Sequence, residues 1–273
     1  MRRALSVLLL LVAACGKKPP PAPEAAPVVF GLYGDCRTGD AIHREICASL
    51  ARRNPAFVIV TGDLVDGGDD PKAWERWRDI TKELRAKTPY WAVRGDHDGA
   101  AGVMERELGL DRAWGEREAA GIRFFFLDST SGPDDAQLRW LEDRAAAAKE
   151  VHKIAVLHHT PFTIKEGREE GADRVREKLH DRLRRLGFCA AFCGHDHHFY
   201  TTRRDGVRYV VTGGGGAPLY SLKERRAGKE DLYLNCHHFL TCTVRARRID
   251  ANVYAPAGQF PEAHFNVCNH EPD

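Results

Sequence analysis

The chain predicts an α/β fold, a single domain in which sheets and helices are sandwiched, and three observations predict it. Short apolar, β-branched runs such as Phe57-Val58-Ile59-Val60 read as strands buried on both faces, the pattern of a largely parallel sheet. Stretches with apolar residues at helical spacing alternate with these runs in βαβα order, and further strands follow. Several of the runs stop abruptly at Gly-Asp or Gly-His, namely Gly34-Asp35, Gly62-Asp63, Gly95-Asp96 and Gly194-His195. Ligands in open α/β sheets lie just beyond the carboxyl ends of the strands, so these steps mark one candidate edge.

A length of 273 residues suits one domain with a substantial core. Hydrophobic content of 43% beside 29% charged residues is an ordinary globular balance and excludes bulk disorder. The formal net charge of +2 gives no electrostatic footprint for a nucleic-acid partner.

The elements follow in order. Met1-Arg2-Arg3 and the apolar Ala4–Ala14 read as a signal peptide over 1–14, too short to span a bilayer as a helix. The stretch Leu11-Val12-Ala13-Ala14-Cys15-Gly16 resembles a bacterial lipoprotein processing box. That resemblance implies a lipid on Cys15 and a membrane partner through it. Gly16, standing where Asp favours inner-membrane retention, points to the periplasmic face of the outer membrane. Residues 15–27, rich in Pro and Ala, read as a semi-rigid tether, 28–256 as the folded domain and 257–273 as a C-terminal tail.

Val28 to Gly34 is the first strand and delivers Asp35; a helix with Ile42, Ile46 and Leu50 on one face follows from Asp40 to Arg53, stopped by Asn54-Pro55. The strand ending at Asp63 leads through a Gly/Asp turn to a helix starting at Pro71, whose Trp74, Trp77, Ile80 and Leu84 form a core stripe. Thr88 to Arg94 is a strand leading to Asp96-His97-Asp98. Ile122 to Leu127 is another, and Gly132 to Asp135 caps a helix reaching Lys149. Ile154 to Leu157 delivers His158-His159, and the Arg/Glu-rich stretch from Glu166 to Arg185 reads as a solvated loop and helix. Phe188 to Cys193 ends in Gly194-His195-Asp196-His197, and strands near 207–212, 234–244 and 249–254 complete the pattern.

Besides Cys15 there are Cys36, Cys47, Cys189, Cys193, Cys236, Cys242 and Cys268; export permits disulfides, and an odd count leaves at least one without a partner in the chain. Cys189 and Cys193 lie four residues apart on one strand, about 13 Å, and so do not bond each other.

Asp35, Asp63, Asp96, His159, His195 and His197 stand at strand ends and offer carboxylates and imidazoles, the donor set for Zn, Fe or Mn. One histidine on a strand is more often structural; the joint pattern carries the signal. His195 and His197 alternate and therefore point the same way.

The ordered set Gly34-Asp35, Gly62-Asp63-x-Val65-x-Gly67, Gly95-Asp96-His97-Asp98, His159-x-Pro161 and Gly194-His195-x-His197 resembles the calcineurin-like metallophosphoesterases over almost all of 28–256. Gly213 to Tyr220 is similar to the branch nearest the purple acid phosphatases. The resemblance implies two packed mixed β-sheets flanked by helices, with two divalent or trivalent ions (Fe, Mn or Zn) in the cleft. Asp63 would bridge them, Asp35 and His197 would hold the first, and Asp96, His159 and His195 the second. His97 would hydrogen-bond the substrate phosphate, oriented by Asp98; His158 would support from behind, a swap with His159 staying open. The implied activity is hydrolysis of a phosphomonoester or diester outside the cytoplasm, by water activated between ions about 3.5–4 Å apart. The alternative is a phosphate- or ligand-binding lipoprotein on the same fold without turnover.

Two departures bear on this. Arg37 stands where the family has a histidine ligand, and a guanidinium does not ligate a metal. Asp96 replaces the usual asparagine. Three outcomes follow: a weakened first ion, an Arg37 that contacts the phosphate or pairs with Asp96, or a site with one ion or none. Of the remaining histidines, His198 is a candidate for lining the cleft, and His43, His237 and His238 read as structural or surface. The run Gly213–Gly216 is either a tight turn needing positive φ or a flap closing over substrate through Tyr220.

Overall fold

The computed structural model describes residues 26–220, 222, 228 and 231–270. The signal peptide, Cys15 and most of the tether lie outside the described residues.

In the first half of the chain, strands and helices alternate as the apolar runs dictate. β1 (Val28–Tyr33), α1 (Asp40–Arg53), β2 (Val58–Val60), α2 (Pro71–Arg85) and β3 (Tyr90–Ala92) are followed by the short α3 (Val103–Leu108) and the hairpin β4 (Gly115–Ala119) and β5 (Ile122–Phe126). Next come α4 (Asp135–Ala147), β6 (His152–Val156), α5 (Glu169–Arg185) and β7 (Ala190–Cys193). Six strands close the chain: β8 (Phe199–Arg204), β9 (Val207–Thr212), β10 (Leu232–Leu234), β11 (Phe239–Arg245), β12 (Arg248–Tyr254) and β13 (Ala263–Asn269). Helix boundaries carry their expected signals. Asn54 ends α1 in the left-handed conformation, Asp70 caps α2 ahead of Pro71, and the Asp134 carboxylate accepts the Gln137 amide at the start of α4.

The strands form two mixed sheets, ordered β13-β12-β11-β1-β2-β3 and β10-β8-β9-β7-β6-β5-β4. β1, β2 and β3 run parallel in the first, and β5, β6, β7 and β9 run parallel in the second. The sheets pack face to face through Phe30, Leu32 and Ile59 from one and Phe124, Ile154, Phe192 and Val210 from the other. Outside, α1 and α2 cover the first sheet with Ile46, Leu50, Trp74 and Trp77. α4 and α5 cover the second with Leu138, Leu141, Val175, Leu179 and Leu183. The sandwich of two mixed sheets flanked by helices is the one the family resemblance implied.

Two sequence expectations need correction. The stretch beyond 256 is not a tail: β13 pairs antiparallel with β12, from Arg248↔Asn269 to Val253↔Ala263, and buries Val267 and Cys268 completely. Nor is 166–185 simply solvated, because α5 buries Ala172, Val175, Leu179 and Leu183 under a cover of Arg and Glu. Cys268 forms a disulfide with Cys189, tying the edge of the first sheet to the middle of the second. Cys36, Cys47, Cys193, Cys236 and Cys242 are free thiols.

Candidate metal centre

Every predicted site residue leaves the carboxyl end of a parallel strand. β1 delivers Asp35, β2 Asp63, β3 the run Asp96–Asp98, β6 His158 and His159, and β7 His195 and His197. Just after three of these ends the backbone turns left-handed, with φ of 57° at Asp35, 54° at Asp63 and 69° at His195, each following a glycine. Non-glycine residues pay for that conformation, Asp and His less than most. Hydrogen bonds hold it: Asp35 N–H donates to Gly62 O (2.9 Å), and His195 N–H reaches both carboxylate oxygens of Asp35 at 2.9 and 3.1 Å.

The glycine run 213–216 lies against this turn. Gly215 N–H donates to Gly34 O (2.8 Å) and Ala217 N–H to Asp35 O (2.9 Å). A Cβ on Gly215 would stand 2.3 Å from Gly34 O, and one on Gly213 would stand 2.3 Å from Asp196 O. Of the four glycines only Gly216 has positive φ, at 156°, so close backbone approach rather than a left-handed turn demands the run. Tyr220, at the end of the loop, stacks on His197 with ring centroids 4.3 Å apart.

The predicted ligands gather in two adjoining groups, Asp96 with His158, His159 and His195, and Asp35 with Asp63 and His197; within each group the ligating atoms lie within 4.8 Å of one another. His158 Nδ1 donates to Thr61 O at 2.8 Å, which directs Nε2 toward Asp96 Oδ1 (2.9 Å) and Asp63 Oδ1 (3.4 Å). His195 Nδ1 is 3.0 Å from the same Asp96 oxygen. His197 is set the same way: Nδ1 donates to Pro218 O (2.8 Å) and Nε2 faces Asp35 Oδ1 at 3.6 Å. Imidazole nitrogens held by backbone carbonyls and turned toward carboxylate oxygens are a mixed nitrogen and oxygen donor set, and a cation that displaces the Nε2 proton fits it.

The electrostatics agree. Burial opposes a charge on His158, but Asp63 and Asp96 overcome it and lift its pKa to about 10, so the pocket asks for positive charge at that point. Burial would raise the Asp96 carboxyl, yet its contacts with His158 and His195 hold it well below the usual carboxylate range. His159 moves the other way, pushed down to about 2 by burial and by the His158 and His195 rings.

The geometry adds to one role and changes two. The His-x-Pro spacing pointed to His159 with a swap open; His159 stays in the donor group, its Nδ1 at 3.1 Å from the Ser129 hydroxyl and its Nε2 3.9 Å from Asp96, and the wholly buried His158 joins it as the ring that also reaches Asp63. Asp98 does not orient His97. Its carboxylate accepts the amides of Asp63 (3.0 Å), Leu64 (2.7 Å), Val65 (3.2 Å) and Gly95 (2.7 Å) and so braces the turn that carries Asp63. Beside His97 stands Asp66 instead, with its carbonyl 3.4 Å and its carboxylate 3.5 Å from Nδ1. Arg37, finally, pairs not with Asp96 but with Asp63 and Asp66: Nε donates to Asp63 Oδ2 at 3.1 Å and a terminal nitrogen to the Asp66 carboxylate.

The other histidines stay outside the cleft. His198 is fully buried with its ring against Tyr233, His43 contacts the Tyr33 hydroxyl at 2.9 Å, and His238 the Thr212 hydroxyl at 3.0 Å. His237 Nδ1 lies 3.2 Å from Gly214 O. One residue that the sequence reading passed over joins the site. Arg168 donates to His195 O (3.0 Å) and the Tyr220 hydroxyl (2.5 Å), and lines a hollow of about 240 Å³ with His159, Thr163, His195 and Asp196. Its signal was the Gly167-Arg168 step ahead of Glu169-Glu170, a helix start at the site's edge. A larger cleft of about 540 Å³ around Arg112, Trp114 and Trp140 contains none of these groups.

Two packed mixed sheets with acidic and imidazole donors converging at their strand ends define a metallophosphoesterase. The chain belongs to the calcineurin-like phosphoesterase family, whose model matches residues 33–199, and it is a phosphoric ester hydrolase that binds divalent metal. Among curated proteins it is similar to the serine/threonine-protein phosphatase CPPED1 of Danio rerio, 28% identical over 234 residues, covering 72% of this chain and 76% of that one. The Mus musculus protein of the same name is 29% identical over 234 residues, covering 72% and 75%. Its fold matches that of the purple acid phosphatase PPD1 from yellow lupin (Lupinus luteus), with TM-score 0.74, 14% identity and 90% of this chain covered; the chain spans only 54% of the lupin enzyme. A dimetal phosphatase from Danio rerio matches with TM-score 0.62 at 14% identity, over 89% of this chain and 99% of that one.

Proposed function

We propose that this hydrolase cleaves phosphomonoesters, with diesters the less favoured class, and that Asp63, Asp96, His158 and His195 hold its ion. The observation that carries the reading is His158 Nε2, oriented by the Nδ1 contact with Thr61 O, facing Asp96 and Asp63 oxygens at 2.9 and 3.4 Å. A divalent ion bound there supplies Lewis acidity, making water a nucleophile near neutral pH and drawing charge from phosphoryl oxygens. The protein groups do the rest. His97, half-exposed at the mouth and 3.8 Å from Asp96 Oδ2, is placed to hydrogen-bond the phosphoryl group or protonate the leaving oxygen. Arg168, beside His195 and hydrogen-bonded to Tyr220, supplies a cation for the anionic ester, and Asp98 keeps Asp63 in its left-handed turn. The relatives named serine/threonine-protein phosphatases add phosphorylated protein to the substrate classes worth assaying.

The test is turnover of p-nitrophenyl phosphate and of bis(p-nitrophenyl) phosphate with Mn²⁺, Fe²⁺ or Zn²⁺ added. The monoester should turn over faster. Activity on neither ester, with the fold intact, would sink the reading in favour of a binding protein.

We further propose anchorage at the periplasmic face of the outer membrane through a lipid on Cys15, supported by the basic start, the apolar run and the processing-box spacing. Among the described residues no helix is long and apolar enough to cross a membrane. Cys15→Ala should move the protein from the membrane to the soluble fraction; retention in the membrane would refute the anchor.

A further inference from the structure

The two groups of donors meet at one carboxylate, Asp63, and its two oxygens have different neighbours. Oδ1 faces His158 Nε2 at 3.4 Å and accepts the His97 amide at 3.1 Å. Oδ2 accepts Arg37 Nε at 3.1 Å. The second oxygen of Asp63 is therefore already engaged by a guanidinium. Arg37 is fixed in that place from several directions. Its amide donates to Asp63 O (3.2 Å), Asp66 takes a terminal nitrogen of the side chain, and the side chain is only 16% exposed, beside an Asp63 carboxylate at 2%.

Charge follows the same division. Arg37, paired with both Asp63 and Asp66, already places one cation on the Oδ2 side. Asp96 adds a full negative charge on the other side, among three imidazoles and next to Asp63 Oδ1. A guanidinium stays protonated at any pH at which a protein folds, and it offers donors without a lone pair. It neutralises carboxylates as an ion would but cannot share them with one, and a divalent ion entering among Asp35, Asp63 and His197 would meet its charge at contact distance.

We propose that Arg37 is a built-in cation standing in for one of two metal ions, so that Asp63 bridges a single ion and a guanidinium. The proposal rests on the metallohydrolase reading above and deepens it. The chain binds one ion, through Asp63, Asp96, His158 and His195, while Asp35 and His197 serve as acceptors and supports: Asp35 holds the His195 turn through two hydrogen bonds, and His197 backs Tyr220. The side chain of Arg37 then supplies, on its face of the cleft, the fixed positive charge that would otherwise come with a second ion.

The full chain is stripped with a chelator, titrated with MnCl₂, and read by metal analysis after gel filtration and by electron paramagnetic resonance. One equivalent and the six-line spectrum of an isolated Mn²⁺ are expected, with Arg37→His rising toward two equivalents and a spin-coupled pair. Asp96→Ala should lose the bound equivalent. Two equivalents with a coupled spectrum in the unaltered chain would overturn the stand-in role of Arg37 and leave the metallohydrolase reading untouched. No bound ion in either the unaltered chain or Arg37→His would overturn both.

Discussion

Strands β6 and β7 carry a cluster at each end, and the two clusters use overlapping residue types for different ends. At the carboxyl ends His158 and His195 converge on Asp96 around a place for a cation. At the amino ends His152 Nδ1 lies 4.0 Å from Cys189 Sγ, the His152 and His270 rings are 5.0 Å apart, and the sulfurs of Cys189 and Cys268 are joined. Histidines beside potential ligands occur at both poles; what separates them is the backbone. One pole has left-handed turns after glycine and carbonyls that fix the imidazole tautomers; at the other, sulfur bonds one sheet to the other. Residue type alone thus does not assign chemistry, and the geometry of the strand end does.

The strongest way to break this contrast is Asp63→Asn. It should lower phosphoester turnover by about 10³-fold or more while the disulfide pole and the fold stay intact, read by p-nitrophenyl phosphate kinetics beside circular dichroism. A variant within tenfold of the parent would remove Asp63 from the centre of the account. Next in size, His158→Ala should weaken Mn²⁺ binding by about 100-fold or more, and His159→Ala by less than about tenfold. The reverse order in a metal titration would restore the assignment made from the His-x-Pro spacing.

At the other pole, Cys189→Ser removes a crosslink across 79 residues, and a loss of about 2–4 kcal/mol is expected, or about 5–15 °C in melting temperature. Turnover at 25 °C should be unchanged; a parallel fall in kcat would mean that the poles are coupled. The smallest effect concerns pH. Burial lowers the pKa of His43 to about 3 and that of His152 and His238 to about 4, against 6.5 unfolded. Unfolding therefore takes up protons below pH 6.5, and the stability these groups contribute is whole above 6.5 and lost progressively toward pH 4. Asp98, raised to about 7 by burial and by Asp63, opposes this over the same window, as do Asp35, Asp196 and His158, all shifted up; His159, His195, His197, His198 and His270, all shifted down, act with the three rings. The metal-free protein should melt several degrees lower at pH 5 than at pH 7; a flat profile would show that these rings are hydrated.

The sequence carried the architecture where period and punctuation agreed. The apolar runs ending at Gly34, Gly62 and Gly194 gave three strands, and α1, α2 and α4 appeared with their caps. It was silent where a strand is short and charged, as in β4 (Gly-Glu-Arg-Glu-Ala), or lies beyond the familiar pattern, as in β13. The ligand types were legible because they cluster just past strand ends, Asp35, Asp63, Asp96 and His195 directly after a glycine. The order of His158 and His159 was not, since adjacent residues point opposite ways and the half-turn between them depends on Thr61 O and Ser129 Oγ. Asp98 illustrates the same limit: its neighbour His97 faces solvent, whereas the carboxylate turns inward to four amides. Arg37 was visible as an anomaly, but its partner was fixed only by the fold.

The pairing of β13 with β12 has a practical corollary for anyone trimming this protein. Stopping at Pro256 would strip a whole edge from the first sheet, bare the backbone of β12 to other molecules, and leave Cys189 a lone thiol. A shortened soluble version should therefore retain the chain through His270.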